Sequence, residues 1–159
     1  MPDSRAKGRT AELKGRDELR KLTGLTWERI PASGALDAKH GLKGDLYIPL
    51  KDNRYCVEVK HYKDDHLTSK LLTGKNPQLI EWWNQTNRQA KQVNKEPLLL
   101  FKYDRSKWFV AYDFLQKHWE DHTKDLPCNT IIIPQYNIAI QLLTTFCKYR
   151  NSEEYWVNA

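Results

Sequence analysis

Cysteine is scarce in this chain and falls in no pattern. Cys56, Cys128 and Cys147 are odd in number and far apart, so neither a disulfide framework nor a zinc-ligand spacing can be drawn from them. Such usage fits reduced thiols and a cytoplasmic setting. Long apolar runs are also missing. No stretch approaches the length needed to span a bilayer, and the polar N-terminus argues against a signal peptide. Internal repeats and low-complexity tracts are absent, which excludes solenoid and fibrous architectures. What is present in excess is positive charge: 26 Lys and Arg against 20 Asp and Glu give +6. That balance favours a polyanionic partner. The 159 residues suit one domain with a core large enough to fold alone.

The most informative stretch runs from Gly44 to Tyr62. Gly44-Asp45-Leu46-Tyr47-Ile48 and Tyr55-Cys56-Val57-Glu58-Val59-Lys60-His61-Tyr62 read as two strands of a hairpin, joined by turn-forming residues 50–54. Alternation turns Val57 and Val59 toward a core and sets Cys56, Glu58 and Lys60 on the opposite face. Asp45 can close on Glu58 and Lys60 from across the hairpin. Two carboxylates beside a lysine suit a hard divalent cation and a polarised water. The same residues could equally form a cross-strand salt bridge on a wet sheet face.

Around this hairpin the pattern alternates between helix and strand. A helix is predicted from about Gly8 to Leu22, after a basic arm over residues 1–7, with Gly24 as its C-terminal cap. Glu12 lies one heptad before Leu19, on the buried face, where a carboxylate needs a partner: a nearby Arg or Lys, or the metal site. Glu18 is its rival. Thr26–Pro31 reads as a strand and Ala32–Gly44 as a loop holding Ser33, His40 and Lys43. Lys63–Asn76 reads as a loop, in which His66 is most simply a solvated side chain. Pro77–Lys95 reads as a helix with Pro77 in its first turn and Asn76 as cap, one of Trp82 and Trp83 inside and the other at an edge. Its outer face carries Gln85, Arg88, Gln89, Lys91 and Gln92. Pro97–Tyr103 is apolar enough for a central strand buried on both faces, and Lys107–Tyr112 returns as another. Beyond, Asp113 can cap a short helix to Trp119, Thr130–Pro134 suits an edge strand, and Asn137–Tyr149 has helical spacing at Ile138, Leu142, Thr145 and Phe146.

Asp45 followed by Glu58-Val59-Lys60 resembles the motif of the PD-(D/E)xK nucleases, with Gly44 where proline usually stands. With Lys7-Gly8-Arg9-Thr10-Ala11-Glu12, Ala32-Ser33-Gly34, Lys63 to Leu67, Glu96 to Lys102 and Trp108-Phe109-Val110, the order and spacing resemble the archaeal-type Holliday-junction resolvases over about residues 5–112. The resemblance implies an α/β fold with a restriction-endonuclease-like mixed sheet flanked by helices, and one nuclease domain over 1–159 with residues 113–159 as an extension. It implies a catalytic set of Glu12, Asp45, Glu58 and Lys60. Mg²⁺, or Mn²⁺ in its place, would be held by Asp45, Glu58, the Val59 carbonyl and Glu12. Lys7, Arg9, Ser33, Lys43, Lys63 and Lys102 would contact DNA. The implied substrate is a four-way junction, cut by a homodimer to leave 5′-phosphate and 3′-hydroxyl ends. Three other readings stand beside it: a restriction- or repair-type nuclease acting on duplex or flapped DNA, a non-catalytic DNA-binding protein in which the acidic pair and lysine are structural, and an RNA-processing or transfer-RNA-splicing-like relative.

Overall fold

A computed structural model describes residues 4–31, 42–63, 67–73, 77–114 and 129–159. Seven strands, β1 (Glu28–Arg29), β2 (Leu46–Tyr47), β3 (Tyr55–Tyr62), β4 (Glu96–Tyr103), β5 (Phe109–Asp113), β6 (Ile131–Ile133) and β7 (Ile138–Leu142), form one sheet in the order β1-β2-β3-β4-β5-β7-β6. The β3–β4 pair is parallel and the other pairs are antiparallel, so the sheet is mixed, as expected. Helices α1 (Ser4–Thr23) and α4 (Leu143–Lys148) lie against one face, and α3 (Gln78–Gln92) covers the other. A short α2 (Lys70–Thr73) precedes α3.

β4 shows why the layers form. Leu98 and Leu100 join Ala11, Leu19, Val57, Val59, Phe146 and Trp156 on the α1 face. Leu99 and Phe101 join Leu79, Ile80, Trp82 and Trp83 on the α3 face. A strand buried on both sides is apolar at every position, which is the run that marked it in the sequence. The glycine cap also stands where expected: Gly24 has φ 72° and donates its N–H to Arg20 O at 2.9 Å.

Several expectations fail for physical reasons. Residues 137–149 are not one helix: Asn137, in the left-handed region at φ 52°, precedes β7, and α4 begins only at Leu143. Ile138 and Leu142, four apart, satisfy a strand's alternation as well as a helix's turn, and the ladders to β5 and β6 decide for the strand. Trp82 and Trp83 are both buried. Tyr62 covers Trp82, with ring centroids 4.5 Å apart, while Trp83 Nε1 donates to Tyr136 O at 3.3 Å. Pro77 precedes α3 as its N-cap residue, with extended ψ of 151°, rather than occupying the first turn. The first two strands shrink to two residues each, Lys63–Asn76 contains α2, and α1 reaches back to Ser4. Asp113 ends β5, and the helix expected after it lies outside the described residues, as does Asn76.

Candidate active site

The site exists because β2 is short. Leu46 pairs with Val57, and Asp45 N donates to Val57 O at 2.7 Å. One residue earlier, Gly44 at φ 91° turns the chain away. A Cβ there would stand 2.5 Å from Val57 O, so only glycine lets the backbone pass so close. Beyond that point β3 has no strand neighbour on this edge among the described residues. The N–H of Val59 would go unpaired, and Asp45 Oδ2 accepts it at 2.8 Å. Ile30 N donates to Asp45 O at 2.8 Å, so Asp45 is fixed by both backbone groups and its side chain. Within a strand, N–H and C=O of one residue point to the same edge, so the Val59 carbonyl faces the opening too.

Three carboxylates bend around this edge. Glu58 is buried on the α3 face of β3 and lies beside Asp45. Glu12 comes from the opposite face. A Cβ on Gly15 would be 3.2 Å and 3.3 Å from the Val59 methyls, so α1 packs directly on β3 and brings Glu12 to Asp45. Glu12 Oε2 accepts from Arg29 Nε and Nη2, both at 2.8 Å. The salt-bridge reading and the site reading of Glu12 therefore both apply. Burial, and then the neighbouring Glu58 charge, push the Asp45 carboxyl up to about 8, while the bond from Val59 N–H opposes the rise. Glu12 is raised as well, first by burial and then by Asp45, with Arg29 opposing.

These groups line a cleft of about 760 Å³ between α1 and α3. Lys60 projects into it and has no ion-pair partner among the described residues. Lys7, Lys43 and Lys63 stand on its wall. Other expected contacts do not. Arg9 is exposed on α1 away from the cleft, and Lys102 is turned onto the carbonyls of Ser106 and Tyr103, where it ties the β4–β5 turn. Glu18, six residues beyond Glu12 on α1, acts instead on Cys147. Ser33, His40 and His66 lie outside the described residues. Sequence reasoning missed Arg29, whose pairing depends on β1 lying beside β2. Gln85 and Gln89 were expected on an outer face, usually solvated but able to touch phosphates in a nuclease; both line the cleft, and among the described residues the buried Gln89 Oε1 has no hydrogen-bond partner.

The donor set suits a hard cation. Asp45, Glu58 and the Val59 carbonyl offer only oxygen, and the raised Asp45 carboxyl records negative charge that a bound cation would relieve. Among the described residues no group of three or more His, Cys, Asp or Glu forms a ready cage. Mg²⁺ typically keeps several waters and takes one or two carboxylates, so a pair of carboxylates is sufficient. Cys56 is no competitor as a nucleophile: burial and the charges of Glu58 and Asp45 push its thiol up to about 12.

Comparison with known proteins identifies the class. The chain belongs to the family described as "Phage putative PDDEXK endonuclease", whose model matches residues 3–156, and it is a nuclease of the PD-(D/E)xK superfamily. Protein D14 of Escherichia phage T5 is 48% identical over 114 residues, covering 70% of this chain and 71% of that protein. No solved structure matches. The family match takes in the residues after 112, where the resemblance drawn from motifs ended, and β6 and β7 of that segment belong to the same sheet.

Proposed function

We propose that this nuclease is a divalent-metal-dependent DNA endonuclease acting on branched DNA, four-way junctions foremost. The observation that carries the metal-dependent reading is the Asp45–Glu58 pair beside the Val59 carbonyl at the open edge of β3, with Lys60 in the same cleft. Asp45, Glu58, the Val59 carbonyl and Glu12 would hold Mg²⁺. Bound there, the cation supplies Lewis-acid charge to polarise water and the scissile phosphate. Lys60 orients the attacking water and offsets charge that develops on the phosphate. Arg29 holds the Glu12 carboxylate toward Asp45. In-line attack leaves a 5′-phosphate and a 3′-hydroxyl.

Branched DNA is favoured by the motif order that resembles the junction resolvases. A four-way junction is nearly two-fold symmetric, so two matched cuts call for two sites and hence a C2 dimer. The net charge of +6 supports binding through the phosphate backbone. A phage family makes the host cytoplasm the fitting place of action.

The test is a panel of synthetic DNAs, comprising a four-way junction, a duplex, a flap and a single strand, each with Mg²⁺ or chelator, with Asp45→Asn alongside. Paired symmetric cuts confined to the junction, lost with chelator and in the variant, are expected. Equal cutting of duplex or flap would replace the junction reading with a general nuclease. Junction binding with no cutting under any metal would make the acidic pair structural.

A further inference from the structure

We infer that a second groove beside the cleft is a metal-independent subsite for one backbone phosphate of the strand flanking the scissile bond. The inference rests on the nuclease reading and adds the direction in which the strand leaves the site. The groove has a volume of about 360 Å³ and lies on the α1 face of the end of β3. Lys7, Lys14 and Lys63 line it, with His61 and Ala11. Its acid, Asp104, is already engaged, with Oδ1 2.9 Å from His61 Nε2.

The two cavities adjoin, since Lys7, Ala11, His61, Tyr62 and Lys63 line both. Their charge differs. The cleft gathers Glu12, Asp45 and Glu58 among its lysines, so a phosphate placed beside the carboxylates is disfavoured without a cation. Among the described residues the groove holds three lysines and one engaged acid, so it favours phosphate whether or not metal is present. Lys7 and Lys14 are seven residues apart on α1, which is two turns on one face, so both ammonium groups reach the same groove wall. A strand running from Glu58 across His61 toward Lys14 therefore moves from the metal-dependent cleft to a cationic anchor.

Lys14 is the diagnostic residue, because it is exposed on a helix and lines the groove but not the cleft. The experiment uses the full chain and a cleavable DNA in which single phosphates near the cut are replaced, one at a time, by neutral methylphosphonates. Binding is read in chelator and cleavage in Mg²⁺, for wild type, Lys14→Ala and the control Lys148→Ala on α4. One phosphate within a few nucleotides of the cut is expected to matter in wild type and to lose its effect in Lys14→Ala. The salt slope of binding should fall by about one in that variant. The proposal is overturned if the interference pattern is the same in wild type and Lys14→Ala, or if Lys14→Ala weakens binding no more than Lys148→Ala. Absence of cleavage by wild type would sink the nuclease reading alone, since the interference pattern is also read in binding.

Discussion

Asp45 serves two purposes that conflict in the metal-free protein. It satisfies the Val59 N–H at a sheet edge, and it sits against Glu58 and Glu12 in a partly dry cleft. Its carboxyl rises from 3.8 to about 8, so the folded chain holds a proton that the unfolded chain has lost. The stability this contributes is present in full below pH 3.8 and declines as pH rises toward about 8. Metal-free denaturant melts should show that decline, and Asp45→Asn should remove it. An asparagine Oδ1 still accepts from Val59 N–H, so the variant is expected to be more stable than wild type near pH 8, by about 1–3 kcal/mol, and catalytically inactive. Equal stability of the two chains across that range would contradict the crowding described here. Gly44 makes a second case. Any side chain there meets Val57 O at 2.5 Å and strains a φ of 91°. Gly44→Ala should cost about 2 kcal/mol or more and lower cleavage by shifting Asp45, measured by unfolding and by single-turnover rates.

At the scale of elements, the hairpin depends on the C-terminal segment beneath it. Trp156 is fully buried among Trp27, Tyr55 and Phe146, with ring centroids 5.4 Å, 5.6 Å and 5.7 Å away, and its Nε1 donates to Arg150 O. Around it, Trp156 O accepts from Arg54 N, Asn158 N donates to Asp52 O, and Asn53 bridges Val157. Trp156→Ala should therefore cost about 3–5 kcal/mol and raise amide exchange in the turn joining β2 to β3, which does not line the cleft. Unchanged protection in that turn would separate the segment from the site. The hairpin, α1, α3 and β4 were legible in the sequence because alternation, a glycine cap and an unbroken apolar run are local signals. That Glu12, Asp45, Glu58 and Lys60 would meet at one cleft could be expected from spacing within those elements together with the resemblance to the nuclease motif. The join of β7 to α4, the burial of both Trp82 and Trp83, and the pairing of Arg29 with Glu12 were not, since each is settled by residues distant in the chain. Lys102 misled in the same way: a lysine at the end of a strand looks free until the carbonyls of the next turn are placed around it.

For the molecule as a whole, the sign of the charge changes from place to place. The chain carries +6, yet the residues around the open end of β3 are acidic, and lysines stand at the wall and in the adjoining groove. Binding to DNA should thus be strong at low salt and survive chelation, whereas cleavage should need the cation. Among the described residues no helix is long and apolar enough to cross a membrane. Dimerisation belongs to the junction reading, and light scattering at working concentration should give twice the chain mass; a single-chain mass would leave two matched cuts without a second site. The most direct test of the central claim is cleavage by Glu58→Gln under Mg²⁺, followed beside DNA binding in chelator. Loss of cutting with binding retained is the expected result, because the change removes a proposed cation ligand and keeps the shape of the buried side chain. Cutting at the wild-type rate would mean that hydrolysis is carried out elsewhere than at Asp45, Glu58 and the Val59 carbonyl.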